Sequence, residues 1–227
     1  MKTTAIIVAA GSGSRFNSET PKQFLDLAGK PVIVHAIERF ASAPSIDNVI
    51  VVLASEHVTR LGGVHVAKPI RVVTGGETRA ESVSNGLAAI EDDVEIVAIH
   101  DGARPFVSVD EIERTIARAK DSGAACLVGP VTDTIKTIRG NEISGTLDRT
   151  KLRRALTPQV FRVEVIRRAF EAGPLDETVT DECYLVEKLG HPIEFVEGSS
   201  RNIKITHPED LISAEAIAKE AFRQATD

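Results

Sequence analysis

Ala5-Ile6-Ile7-Val8-Ala9-Ala10-Gly11-Ser12-Gly13-Ser14-Arg15-Phe16 sets a short apolar run directly against a glycine-rich polar turn. The run is far too short to span a membrane and suits a strand buried on both faces. Such strands belong to parallel sheets, whose neighbouring strands are joined by crossover helices. The surrounding sequence supplies both parts. Asn48 to Leu53, Arg71 to Thr74, Val94 to His100, Ala124 to Val128 and Pro192 to Val196 read as further strands. Pro31 to Ala41, Ser82 to Ile90 and Val109 to Ala119 carry apolar residues at helical spacing, as in Ile112, Ile116 and Ala119. This rhythm predicts an α/β fold: a Rossmann-like, mostly parallel sheet flanked by helices. Ligands of such sheets bind beyond the carboxyl ends of the strands, so the residues just after each run are the site candidates.

The last third departs from the rhythm. Pro130 to Leu156 is polar and β-branched, and Gly140-Asn141 predicts the turn of a hairpin. A lone two-stranded hairpin is marginal in water, so this one is expected to pack on something. Helices follow near Val163 to Phe170 and Glu182 to Leu189, and a closing helix has its cap region at Thr206 to Asp210. The 227 residues are therefore expected to form a single domain, 1–227, with 130–156 as a hairpin arm.

Composition removes several function classes. A formal charge of −6, no Trp and one Tyr leave neither the basic stripe nor the stacking aromatics of a nucleic-acid binder. No apolar run reaches membrane-spanning length, and Lys2 precedes too short a run for a secretory leader. Cys126 and Cys183 lie far apart in sequence and form no disulfide framework, which fits a cytoplasmic, reducing setting with both thiols as packing residues.

Within the opening stretch, glycines at the end of a buried strand let backbone N–H groups turn toward an anion. Arg15 and Lys22 can add charge-assisted hydrogen bonds to it. A glycine turn beside two solvated cations is the plainer alternative. The dinucleotide fingerprint fails at Phe16, and no Gly-Lys-Ser/Thr ending makes it a P-loop. Gly75-Gly76 can bring backbone groups to the edge of a base, with Ser82 adding a hydrogen bond; otherwise it is a loop with a helix cap. Asp101 directly follows a buried run and can hold Mg²⁺ or a substrate hydroxyl, with Arg104 near for a phosphate, or the two can form a structural ion pair. His100 reads as a half-buried strand residue, since no second His or Cys stands at metal spacing. Asp148-Arg149-Thr150-Lys151-Leu152-Arg153-Arg154 is a solvated face by default. In Asn202-Ile203-Lys204-Ile205-Thr206, read as a short strand, alternation points Lys204 away from the core and toward a cleft.

Taken together, Ala9-Ala10-Gly11-Ser12-Gly13-Ser14-Arg15 and Pro21-Lys22-Gln23 resemble the phosphate loop of nucleotidyltransferases that build nucleoside-diphosphate sugars and polyols. Later blocks narrow the resemblance: Gly75-Gly76 with Arg79 and Ser82-Val83, His100 to Pro105, Asp133 to Lys136, Asp148-Arg149, Leu156 to Gln159, Thr180 to Glu182 and Asn202 to Thr206. In this order, over nearly the whole chain, they are similar to the 2-C-methyl-D-erythritol 4-phosphate cytidylyltransferases of the non-mevalonate isoprenoid pathway. Gly102 departs mildly from the family, where alanine is expected.

The resemblance implies a homodimer with shared active sites that joins CTP to methylerythritol phosphate and releases pyrophosphate. It implies Mg²⁺ or another divalent cation held mainly by the CTP phosphates, with Asp101 a possible ligand. Arg15, Lys22, Arg149 and Lys204 would be catalytic. Ala9, Ala10, Gly11, Ser12, Gly13, Ser14, Gly75, Gly76, Ser82 and Gly102 would bind CTP, and Asp101, Arg104, Thr134, Arg149, Thr157, Thr180 and Lys204 the acceptor. The arm would embrace the other subunit. The nearest rival is a cytidylyltransferase for another polyol phosphate such as ribitol 5-phosphate. More distant rivals are a nicotinamide-dependent reductase and a nucleotide sensor without catalysis.

Overall fold

The structure, a computed structural model, describes residues 1–11, 16, 20–173, 175–176 and 178–224, the last four as backbone only. Along the chain come β1 (Lys2–Ala9), the small hairpin β2 (Asp26–Leu27) and β3 (Lys30–Pro31), α1 (Val32–Ser42), β4 (Asn48–Leu53), β5 (Ile70–Thr74), α2 (Arg79–Ala88), β6 (Val94–Asp101) and α3 (Val109–Ser122). Next are β7 (Ala124–Pro130), the hairpin β8 (Lys136–Arg139) and β9 (Glu142–Thr146), β10 (Arg153–Arg162), α4 (Val163–Ala172), α5 (Glu182–Lys188), β11 (Glu194–Glu197) and α6 (Pro208–Gln224).

Seven strands make one sheet in the order β11-β7-β10-β6-β1-β4-β5. All its pairings are parallel except those of β10, which runs antiparallel between β6 and β7. Alternation along β1 explains the layers. Ala5, Ile7 and Ala9 face a core with Ile33, Ile37 and Phe40 of α1 and Ile112 and Ile116 of α3. Ile6 and Val8 face the opposite core, with Val83 and Leu87 of α2, Ile166 of α4 and Val186 of α5. Each of the Ile, Leu, Val and Phe side chains among them contributes about 1.5–3 kcal/mol through burial. Because β1, β4, β5 and β6 are parallel, Ala9, Leu53, Thr74 and Asp101 all end at one edge, which is where the site forms.

Six predicted strands and the Gly140-Asn141 turn are present, with ends moved by up to three residues. Three expectations are corrected. The helix expected from Ser82 begins at Arg79, because Thr78 and Glu81 form a capping box: Thr78 Oγ1 accepts from the Glu81 N–H at 3.0 Å and Glu81 Oε2 from the Thr78 N–H at 3.3 Å. Strand β10 was not expected, the sequence reading having passed from the segment ending at Leu156 to the helix near Val163; a proline at 158 is unusual in a central strand. The Thr157–Pro158 peptide is cis, and the β10–β7 ladder is interrupted between Ala155 and Gln159, so no ladder N–H is asked of the proline. Residues 202–206 are not a strand; one backbone bond, Ile205 N–H to Ala103 C=O at 2.9 Å, ties that segment to the loop after β6. At the ends of the 130–156 segment, Pro130, Arg153, Arg154 and Ala155 are paired in the main sheet.

Gly86 lets α2 lie close on β1 and β4. A Cβ there would meet Ile6 Cγ2 at 2.7 Å and Val52 Cγ2 at 3.2 Å, both from stiff β-branched side chains in the core. Gly86→Ala is expected to lower stability by about 1–2 kcal/mol, overpacking outweighing the ~1 kcal/mol gain in helix propensity. Urea unfolding measures it, and an unchanged or raised midpoint would refute the close-packing account.

Candidate active site

A cavity of about 270 Å³ lies at this edge, lined by the end of β1 (Val8 to Gly11), Lys22, Gln23, residues 76–79, Ser82, Asp101, Ala103 and Lys204. Of the sequence-derived candidates it brings together Ala9, Ala10, Gly11, Lys22, Gly76, Ser82, Asp101 and Lys204. Ser12, Gly13, Ser14 and Arg15 lie outside the described residues.

Lys22 opens a short 3₁₀ turn, Lys22–Phe24, whose other residues are anchored. Gln23 is buried and its Nε2 donates to the Ala9 carbonyl at 2.9 Å, fastening the turn to the end of β1. Phe24 meets the His57 ring edge-on at 5.3 Å, and the Arg60 guanidinium lies over it at 5.1 Å.

Opposite, the turn after β5 is held by Ser82. Its Oγ accepts from the Gly76 N–H at 3.1 Å and donates to the Thr78 carbonyl at 2.9 Å. Gly75 must be glycine: a Cβ would stand 2.4 Å from Ala10 Cβ and 2.8 Å from Ser82 Oγ. The Gly75 N–H donates to Leu53 C=O at 2.7 Å. Both glycine N–H groups are thus engaged within the protein, and so is the Ser82 proton. Gly102 also sits in close contact, its N–H donating to Val8 C=O at 2.9 Å.

Between these walls lies Asp101, 6% exposed and touched by three cations. Arg79 Nε is 3.2 Å from its Oδ1; Lys204 Nζ at 2.9 Å and Arg104 Nε at 3.3 Å share Oδ2. Burial opposes the charge on Asp101, but Arg79, Lys204 and Arg104 outweigh it and hold the carboxyl well below its usual range. Arg104 also donates to the Asn202 carbonyl at 2.9 Å, so it braces the 202–206 segment rather than lining the cavity. Lys204 does point into the cleft, though from an irregular segment instead of a strand. With both oxygens matched by cations, Asp101 does not fit a magnesium ion. Among the described residues no three His, Cys, Asp or Glu side chains stand together as metal ligands.

Thr157 is buried beside Asp101. Its Oγ1 accepts from the Asp101 N–H at 3.1 Å and lies 2.9 Å from His100 Nδ1, while His100 Nε2 is 3.0 Å from the Arg104 carbonyl. Burial lowers the His100 pKa to about 4, so the ring is neutral. Facing a carbonyl, Nε2 carries the proton and Nδ1 accepts from Thr157. The Thr157 hydroxyl proton is therefore spent internally. Thr134, Arg149 and Thr180 are exposed and outside the cavity lining; Arg149 Nη1 donates to the Thr132 carbonyl at 2.6 Å.

Sequence reasoning gave no role to Gln23, Glu77, Gln159 or Glu182. Glu77 lines the cavity beside Gly76. Glu182 is fully buried and pairs with Arg79, Oε1 to Nη1 at 2.5 Å and Oε2 to Nη2 at 3.1 Å. Gln23, Gln159 and Glu182 each lay in a quoted block, which was their only signal, and Glu77 had none.

A family model described as "IspD: 2-C-methyl-D-erythritol 4-phosphate cytidylyltransferase" matches residues 3–220. A 2-C-methyl-D-erythritol 4-phosphate cytidylyltransferase of Syntrophus aciditrophicus is 42% identical, covering 96% of each chain. The bifunctional enzyme IspD/IspF of Desulfotalea psychrophila is also 42% identical, over 97% of this chain, which spans 58% of that longer protein. Among solved structures, the 4-diphosphocytidyl-2C-methyl-D-erythritol synthase of Anaerococcus prevotii superposes with a TM-score of 0.87 at 30% identity over 96% of both chains.

The buried imidazole gives a pH prediction. The unfolded ring takes its proton near pH 6.5, the folded one only near 4, so its stabilising contribution is whole above 6.5 and is lost as pH falls through that window, ~3 kcal/mol in all. Asp101, held well below its usual range, loses its contribution at lower pH. Glu182 changes in the opposite sense, because its pKa is raised by burial and it destabilises the folded state as pH rises. Urea unfolding from pH 7 to 4 isolates His100: His100→Gln should show a shallower fall than wild type, and parallel curves would count against a neutral buried ring.

Proposed function

The chain belongs to the 2-C-methyl-D-erythritol 4-phosphate cytidylyltransferase family, and we propose that the cavity at the ends of β1, β5 and β6 holds its nucleotide. The enzyme transfers the cytidylyl group of CTP to 2-C-methyl-D-erythritol 4-phosphate, giving 4-diphosphocytidyl-2-C-methyl-D-erythritol and pyrophosphate in the non-mevalonate isoprenoid pathway. The observation that carries the site assignment is the frame of Arg79, Arg104 and Lys204 on Asp101, with Lys22 on the facing wall.

An acceptor phosphate oxygen attacks the α-phosphorus of CTP in line, and pyrophosphate leaves on the opposite side. The ionised phosphate is already a nucleophile and needs no general base. The obstacle is bringing two anions together, so catalysis rests on positioned positive charge. Arg15 and Lys22 stabilise charge on the reacting phosphates, and Lys204 and Arg149 orient the acceptor phosphate. Arg grips two oxygens, whereas Lys acts as a point charge. Ala9 to Ser14 cradle the triphosphate. Asp101 borders the acceptor, Arg104 acts on that wall through Asp101 and the Asn202 carbonyl, and Thr134 and Thr180 contact the acceptor. Thr157 acts through the Asp101 backbone, since its own proton is committed.

The engaged N–H groups of Gly75 and Gly76 support a definite form of base reading. What the turn offers a base is its carbonyl oxygens, which match the N4 amino donor of cytosine and oppose the O4 acceptor of uracil. Ser82 keeps the turn in place. The divalent cation arrives as part of the substrate, on the triphosphate of CTP, consistent with the cation-matched oxygens of Asp101.

The working unit is a homodimer. Ile138 and Ile143 on the hairpin arm are 72% and 69% exposed, an apolar surface that a two-stranded ribbon does not carry alone. Covered by the partner, the arm brings Arg149 to the other subunit's acceptor site. No described helix is long and apolar enough to cross a membrane; the protein works in the cytoplasm with Cys126 and Cys183 as buried thiols.

Pyrophosphate release is expected with CTP and methylerythritol phosphate and to fall steeply with UTP, ATP or ribitol 5-phosphate. Equal turnover with UTP would overturn the carbonyl reading. Chelating divalent cations should stop turnover without lowering the Tm. Lys22→Ala and Arg15→Ala should each lower kcat at least about a hundredfold with folding intact.

Subunit sharing is tested by mixing Lys22→Ala chains with Arg149→Ala chains. A mixed dimer then has one doubly defective site and one intact site, restoring up to about a quarter of wild-type activity after random reassortment. No recovery in a sample that mass measurement shows to contain mixed dimers would place both residues in one chain's site.

A further inference from the structure

Glu182 is the first residue of α5, 0% exposed, and both its carboxylate oxygens lie on the terminal nitrogens of Arg79, 103 residues earlier in the chain. A buried carboxylate is costly unless paired, and this one is paired to a single partner that itself lines the nucleotide cavity. Its own position is fixed from behind. Gln159 Oε1 accepts from the N–H groups of Glu182 at 3.1 Å and Cys183 at 3.0 Å, and Gln159 Nε2 donates to Asp181 Oδ2 at 2.9 Å. Asp181 Oδ1 in turn caps the helix by accepting from the Tyr184 N–H at 2.9 Å. Glu182 therefore does not follow Arg79; Arg79 is held to Glu182.

The consequence falls on Asp101. A guanidinium prefers to meet a carboxylate with two parallel N–H groups. Glu182 takes both terminal nitrogens of Arg79, so Arg79 touches Asp101 through Nε alone, on Oδ1, at 3.2 Å. Oδ2 is thereby left to Lys204 and Arg104. Freed from Glu182, the same guanidinium can turn its paired face onto Asp101 and compete with Lys204 for it. Glu182 also sets the charge: three cations against Asp101 alone leave two unmatched, and Glu182 reduces that to one.

We infer that Glu182 is a positioning residue for the transfer reaction, which acts through Arg79 to apportion the oxygens of Asp101 and so holds Lys204 where the acceptor phosphate meets the nucleotide. The inference rests on the proposed occupancy of the cavity by CTP. It also links the two halves of the reaction, since Glu182 follows Thr180 and Asp181 in the acceptor segment while Arg79 belongs to the nucleotide wall.

A double-mutant cycle read in kcat and in KM for each substrate tests it, with far-UV circular dichroism and Tm as the check on folding. Glu182→Gln, which keeps the shape and removes the charge, is expected to lower kcat/KM about tenfold in folded enzyme, and to cost under about twofold once Arg79→Met is present. A purely structural ion pair would instead lower Tm and leave kcat and both KM values of the folded enzyme at wild type, which overturns the inference. An equal loss in both Arg79 backgrounds overturns it as well. If the glutamine variant does not fold, Glu182→Asp carries the test: it keeps the charge, withdraws it by one methylene, and is expected to lose about threefold or more, with wild-type kinetics as the refuting result. Lys22→Ala separates the two readings. Wild-type kinetics there removes the cavity from the reaction altogether, whereas loss there with wild-type Glu182 variants removes only the positioning role.

Discussion

Asp101 is a buried carboxylate that lines the cavity and stays ionised, and much of the site is arranged around that cost. Burying an isolated carboxylate is prohibitive, so the fold surrounds this one with Arg79, Arg104 and Lys204, each from a different part of the chain. The arrangement works in both directions. The cations keep Asp101 ionised, and Asp101 keeps cations gathered at one sheet edge that repulsion would otherwise scatter. An enzyme that joins two phosphates needs such a collection of positive charge already in position. His100 and Thr157 complete the support from beneath by fixing the backbone on either side of the acid.

How much of this was legible in the sequence depends on the range of the interaction. Elements written as a local pattern were readable: the apolar run into Gly11, the strand ending at Asp101, the turn at Gly140-Asn141. The α2 start was written locally too, as Thr78 followed three residues later by Glu81, and it was passed over for the apolar period beginning later. Strand β10 was passed over between Leu156 and Val163; Pro158 is unusual in a central strand, and only the tertiary structure supplies an interruption where the proline does no harm. Lys204 was read toward the cleft through a strand that does not exist; the buried Ile205 beside it sufficed to set its direction.

The site itself was legible as a list of residues and not as a set of partnerships. Asp101 and Arg104, three residues apart, were readable as a pair. Arg79 and Glu182 were not, because nothing in either neighbourhood signals a partner 103 residues away. Ser82 and Thr157 were read as substrate contacts, and the structure adds that each hydroxyl proton is committed within the protein, which leaves a substrate only the oxygen as acceptor. Resemblance to a family transfers residue identities readily, but which of them touch a ligand and which act through a neighbour is decided by hydrogen-bond stoichiometry, and that needs coordinates.

Strand β10 bears on how the chain acquires its structure during synthesis. It lies between β6 and β7, yet it leaves the ribosome after both. Until residue 162 has emerged, β6 and β7 each present an unpaired edge to a gap one strand wide, and Ile99, Val97 and Leu127 lack their final surroundings. The β6-β1-β4-β5 portion is parallel and can assemble first, but its exposed flank persists for some sixty residues of elongation, from Asp101 to Arg162. A nascent chain of this enzyme therefore passes through an interval in which edge-to-edge association with another copy competes with its own completion. That interval is shortened by whatever speeds the antiparallel insertion of Arg153 to Arg162.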